Sequence, residues 1–356
     1  MWKLPIVLAL ALMLNLSSFP QVPLLALNAK QDSTYELRII IGGNITNLGS
    51  VPVRVGNTDL LIYNYPLYGY SQEVVSAKLY YGGQLIDYRV AFINGSWMLL
   101  HEGRALDDLI EPGESASSMV EYVVKINMTA RRRELANLSL GRINGWSFIP
   151  ANYSSLTSPT PLWNYENPLV ALAYKYLLSR GEQHTPLQYF ALVIKWIKDN
   201  FAYSTRIPPR TVWEVILRKA GDCDEQSNLL ITLLRARGIP AYIETGLVYI
   251  PGLTYVDSDP SGLFTYKFIN GGAHGWAVAY IPPIGIVRID LTFWSGAVNT
   301  LDDALNYIRY SAYYTYPTVV IEEVKTGDYV LESSKFLEEI SSSNLKYYVY
   351  IEISEA

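Results

Sequence analysis

The sequence predicts an α+β protein in two parts, a β-sandwich followed by a helical segment that runs into an antiparallel sheet. Three observations carry this reading. Turn dipeptides punctuate short strand-like stretches between residues 35 and 149, apolar residues then recur at helical spacing between 167 and 238, and strand-like stretches return at Ala241. A change of apolar period marks a change of element type, and helices followed by strands indicate an α+β rather than an alternating arrangement.

In the first part, Gly82-Gly83 separates Ser76–Tyr81 from Gln84–Phe92, and Asn94-Gly95 separates that stretch from Ser96–Leu100. Both dipeptides favour the positive φ angles of tight hairpins. Glu111-Pro112-Gly113 makes a further turn into Ala116–Asn127, and about seven strands suit a sandwich over residues 30–150. Arg131-Arg132-Arg133, followed by Glu134, reads as a solvated stretch. Residues 151–162 have the composition of a linker.

The second part, 151–356, opens with four helices. Asn167-Pro168 supplies an N-cap and a first-turn proline, with Gly181 after the helix end. Thr185-Pro186 opens the next, whose Leu187, Phe190, Ile194 and Ile197 share one face. Thr211 and Glu214 form a capping box for a third helix ending near Gly221. Asp222 caps a fourth, which Gly238 terminates. Strands are expected at Ala241–Ile250, Trp276–Ile281 and Ile286–Thr292, with terminal β-structure near Val319–Val324 and Tyr347–Ile353.

Composition narrows the function. The chain has 356 residues, 28 basic against 33 acidic for a net charge of −5, half of them hydrophobic and 17% charged. A core of good size is available and global disorder is excluded. The acidic balance argues against a nucleic-acid partner, whose footprint would be basic. One cysteine and three scattered histidines exclude a disulfide framework and cysteine- or histidine-rich metal sites, so no cofactor is expected. Residues 1–29 carry one lysine and then an uncharged run from Pro5 to Leu16, the layout of a signal peptide or N-terminal anchor. Asn-X-Ser/Thr sequons at Asn44, Asn94, Asn127, Asn137 and Asn152, with 29 tyrosines, fit an exported, extracellular or cell-surface protein. Membrane association is expected through the N-terminal segment only.

Cys223 is the first residue of the fourth helix, where unsatisfied N–H groups and the helix dipole favour a thiolate. The apolar Leu229, Leu230, Leu233 and Leu234 behind it would bury the helix and fix the sulfur. His274 and Asp290 fall on neighbouring predicted strands. A thiol nucleophile needs a base within hydrogen-bond reach and an acceptor that orients the base. An inert buried thiol, a core histidine and a turn aspartate are the separate plain readings; their occurrence together points to chemistry.

These residues carry a resemblance. Gly221-Asp222-Cys223-Asp224-Glu225-Gln226 with the helix up to Ala241 resembles the nucleophile segment of the transglutaminase-like superfamily. His274-Gly275-Trp276 resembles its His-X-Trp strand, Asp290-Leu291-Thr292 its Asp-X-Thr strand, and Trp196–Ser204 its helix and Tyr-Ser strand. The resemblance covers about residues 185–295. It implies a papain-like core with Cys223 as nucleophile, His274 as general base and acid, and Asp290 as orienter. Leu291 stands where many members have proline. The superfamily includes crosslinkers, cysteine peptidases, amidases and inactive members.

The expected chemistry is therefore thiol-dependent acyl transfer on a peptide or protein substrate, hydrolytic in preference to crosslinking. A non-catalytic cell-surface binding protein and a crosslinking transglutaminase are the rivals. One geometric condition follows. A four-residue hairpin pairing Ile281 with Ile286 would turn Asp290 away from His274, because facing alternates along a strand. A loop of odd length or a bulge near Gly275 or Gly285 is therefore expected. The Gly/Ser/Asp-rich stretch Asp257–Gly272 reads as a surface loop or a lid; Asp257 and Asp259 are too few for a Ca²⁺ site.

Overall fold

The computed structural model describes residues 33–56, 60–93, 95–103, 107–136, 150–282 and 284–356. The expected signal segment and the sequons at Asn94 and Asn137 lie outside them. No helix among the described residues is long and apolar enough to cross a membrane.

One nine-stranded sheet organises the molecule. Its strands are β1 (Thr34–Asn47), β2 (Gln72–Tyr81), β3 (Gln84–Ile86), β4 (Ser115–Asn127), β5 (Ala241–Ser258), β6 (Phe264–Ile281), β7 (Gly285–Ile289), β8 (Thr318–Val324) and β9 (Leu345–Glu355). Their order is β8-β5-β6-β9-β1-β4-β2-β3, with β7 added to β6. The last strand joins the halves: β9 runs antiparallel to β1 and parallel to β6. The sheet therefore continues across the boundary expected at residue 150.

The N-terminal region is sheet-rich. The strands 62–64, 88–93 and 96–101 form a smaller sheet. Tyr63, Leu99, Leu37, Ile39, Val120 and Tyr122 share one buried core between the layers. Tyr63 hydroxyl meets Ser118 Oγ at 2.6 Å and Tyr122 donates to the Asn64 carbonyl at 2.8 Å, tying the two sheets. Asn44 lies on β1 and is half-buried.

The helices follow their sequence signals: α2 (Pro168–Gly181), α3 (Pro186–Asn200), α4 (Val212–Arg218) and α5 (Cys223–Ala236), after α1 (Met128–Ala136). Helix α4 stops before Gly221, because Lys219 adopts a left-handed conformation and Ala220-Gly221 pairs with Ala202-Tyr203. Helices α6 (Leu301–Arg309) and α7 (Tyr329–Ser343) were not foreseen, although Thr300 with Asp303 and Asp328 with Leu331 N–H are ordinary caps.

Two expectations are corrected. Arg131 is fully buried, not solvated: it donates to the carbonyls of Tyr70 and Thr318 and lies 4.3 Å over the Tyr313 ring. The stretch 257–272 is mostly strand, since β5 and β6 form one long hairpin. Asp259 closes its turn, accepting from Phe264 N–H at 2.7 Å and Ser261 N–H at 2.9 Å, which explains that carboxylate without a cation.

Candidate active site

Residue Cys223 is the first residue of α5, whose capping box is complete. Asp222 Oδ1 accepts from Glu225 N–H at 3.3 Å and Glu225 Oε2 accepts from Asp222 N–H at 3.1 Å. Every residue from Cys223 to Arg235 is buried, so α5 is a central helix and the sulfur is rigidly placed. It packs against β5 and β6, which carries His274.

The hairpin condition is met by loop length. Ile281 pairs with Gly285 and Ala277 with Ile289, leaving three residues between the strands instead of four. This register puts Asp290 level with Trp276 and on the face of His274. His274 Nε2 lies 2.7 Å from Asp290 Oδ2. The carboxylate also accepts from Thr292 N–H at 2.8 Å and Ala312 N–H at 3.0 Å, which hold it in place against the imidazole. Nδ1 is the nitrogen left for the thiol, and no other hydrogen-bond partner takes it. Cys223 and His274 interact through hydrogen bonding and charge, and Gly275 N–H is directed at the sulfur. All three predicted residues are thus brought together, each 1% exposed.

Burial changes the electrostatics that the helix terminus alone suggests. Desolvation pushes the Cys223 thiol up, against the lowering influence of His274. Asp224 beside it adds negative charge and works in the same direction as burial. At the helix N-terminus the Glu225 N–H is taken by Asp222. Desolvation would lower the His274 imidazolium, but the charges of Asp290 and Cys223 outweigh it and raise the group to about 10. Because the folded value exceeds the ordinary 6.5, the pair's contribution to stability is complete below that pH and is lost as pH rises through about 10. Urea midpoints at the two ends of this range should therefore fall with pH in the native chain and change less in His274→Ala.

Several residues around the triad escaped the sequence reading. Tyr329 hydroxyl donates to Asp224 Oδ2 and accepts from Asn228 Nδ2, both at 2.5 Å, tying α7 to the nucleophile turn. Burial, then the charge of Asp224, push the Asp222 carboxyl well up, so it retains a proton shared with Asp224. Asp222, Cys223 and Asp224 bring their ligand-type atoms within 4.8 Å of one another, and among the described residues they are the group that could hold a metal. Glu244 on β5 is fully buried and accepts from Trp276 Nε1 and Arg288 Nε, each at 2.8 Å. A charged residue inside an otherwise apolar strand was the signal for this one. Lys198 Nζ reaches the Leu291 carbonyl at 3.1 Å, next to the triad aspartate.

Residues 176–291 match the model of the transglutaminase-like superfamily. Comparison with curated proteins gave no match. Among solved structures, a candidate cysteine protease from Cytophaga hutchinsonii is 14% identical, with 91% of this chain and 93% of that one aligned at a TM-score of 0.50. Red sea bream transglutaminase is 10% identical over 68% of this chain and 48% of its own, at a TM-score of 0.27. The first of these likenesses is one of fold. The segment that holds Cys223, His274 and Asp290 accordingly belongs to the transglutaminase-like superfamily.

Proposed function

We propose that this protein is an exported, thiol-dependent acyl-transfer enzyme that hydrolyses peptide or protein amide bonds. The observation that carries the proposal is the buried His274–Asp290 hydrogen bond of 2.7 Å beside the Cys223 thiol. Burial favours the neutral thiol, and Asp290 favours the protonated imidazole. Loss of one proton leaves a thiolate–imidazolium pair.

The thiolate attacks the amide carbonyl and forms an S–C bond. The Cys223 N–H, at the first position of α5, lies outside the intrahelical ladder and is the natural donor to the developing oxyanion. His274 Nδ1–H protonates the leaving amine as the C–N bond breaks. Water then attacks the thioester, His274 takes its proton, and the Cys223 thiol is released. Hydrolysis is favoured over crosslinking because water needs no second binding site, whereas crosslinking requires water to be excluded. Since the triad is closed to solvent here, substrate entry requires a covering element to move.

The full occlusion of the sulfur is the observation that favours the rival, a non-catalytic binding module. Iodoacetamide alkylation across roughly pH 6 to 11, bracketing the free-thiol value, separates the two. An enzyme should give a rate that rises with pH through a value above the ordinary thiol range, displaced further upward in His274→Ala. Cleavage of a peptide-amide library should rise over the same range. An alkylation profile indifferent to His274, with no cleavage of any amide, would leave the binding module standing.

A further inference from the structure

Away from the triad, a cavity of about 490 Å³ opens where the N-terminal region meets the core. Tyr70 and Glu134 contribute to it from the first, and Tyr242, Arg288, Glu323 and Lys325 from the second. Its size falls within the range of small-ligand sites, and junctions between structural units are where such sites concentrate.

The two cations of this cavity are seated alike, between tyrosine rings and glutamates. The Arg288 guanidinium lies 4.0 Å from the Tyr313 ring centroid and 5.1 Å from that of Tyr70, and pairs with Glu244 and Glu134. Lys325 Nζ lies 5.1 Å from the Tyr242 centroid and 2.5 Å from Glu323 Oε2. They differ in permanence. Arg288 has a 9% exposed side chain and a fork of bonds to Glu244, whereas the Lys325 side chain is 46% exposed and joins one carboxylate.

That carboxylate has partners besides the lysine. Glu323 Oε1 accepts from the Tyr70 hydroxyl and from the Tyr242 hydroxyl at 3.0 Å. Burial alone would favour its neutral form; Lys325 first, and then the Tyr70 and Tyr242 hydroxyls, keep it ionised. An exposed ion pair of the Lys325 kind contributes little, and a ring face adds attraction for whichever ammonium is present.

We propose that Tyr242 and Glu323 form a binding seat for the primary alkylammonium group of an external ligand, which Lys325 occupies as an exchangeable internal surrogate. Arg288 cannot be displaced in this way, because its departure would strand the buried Glu244. The seat is independent of the acyl-transfer chemistry and stands or falls without it.

Isothermal titration of full-length protein carrying Cys223→Ala, so that no ligand is turned over, tests this with Nα-acetyl-lysine amide, n-butylamine and Nα-acetyl-glutamine amide. The two amines should bind and the glutamine analogue should not; stronger binding of the lysine amide would identify a peptide-borne amine. Adding Lys325→Ala should tighten amine binding on the order of tenfold, because the internal competitor is gone. Adding Glu323→Gln or Tyr242→Leu should abolish it. Lys325 is a surface residue, so its replacement leaves the fold intact. Unchanged or weaker amine binding in the Lys325→Ala protein, or equal binding of the glutamine analogue, overturns the proposal.

Discussion

Replacing Cys223 with alanine, or His274 with alanine, should each lower amide hydrolysis by at least about 10⁴-fold, and the double variant should be hardly worse than either. Nucleophile and base act as a unit, so removing one forfeits the work of the other. Asp290→Asn should be milder than either, since Asn retains an acceptor oxygen for the Thr292 N–H but sets an amide N–H against a donor. The Ala312 N–H, which now meets Oδ2, would lose its acceptor if that oxygen became the amide nitrogen. The measurement is kcat/KM on whichever peptide amide the library selects, with thermal melting to verify the fold. Equal activity of Cys223→Ala and native protein would remove the thiol from the mechanism.

Glu244→Leu is the substitution expected to cost most in stability. Its carboxylate is fully buried and compensates the Arg288 guanidinium through contacts of 2.8 and 3.1 Å, while also accepting from the Trp276 indole N–H. Breaking a buried pair from one side leaves an uncompensated charge and costs about 3–5 kcal/mol. Glu134, at 3.2 Å from Arg288, offsets only part of this because its own side chain is 41% exposed. Chemical denaturation of Glu244→Leu should show a lowered midpoint, and Glu244→Gln, which retains an acceptor, should fall in between. Because Trp276 is two residues from His274 on the same strand face, the Leu variant should also lower kcat. A stability loss under about 1 kcal/mol, the size of a surface pair, would mean that Glu134 or water replaces the lost partner.

The helices around the nucleophile were legible because their signals are local. Asn167, Thr185, Thr211 and Asp222 each stand at a helix start where short polar side chains can satisfy backbone N–H groups. The sequence marked Cys223, His274 and Asp290 for a chemical reason: a lone cysteine at a helix start, with a histidine and an aspartate on successive strands, has the makings of a thiol site, and the fold brings the three together. Alternation of strand faces called for an odd-length loop or a bulge near Gly275 or Gly285, and the three-residue loop is the one the chain uses.

What the sequence could not decide depends on contacts between distant residues. The final strand, Leu345–Glu355, pairs with both β1 and β6 and so merges the two halves into one sheet; no local pattern names a strand's neighbours. Arg131 reads as one member of a basic run, yet its donors are satisfied by Tyr70, Gln72 and Thr318, residues far from it along the chain. The state of the thiol was decided the same way. The helix terminus favours the anion, but desolvation by the surrounding core and the charge of Asp224 raise the thiol instead. Sequence determined which residues could carry the chemistry, because capping and strand alternation act over a few residues. Tertiary structure decided their protonation, because burial is set by everything that packs around them.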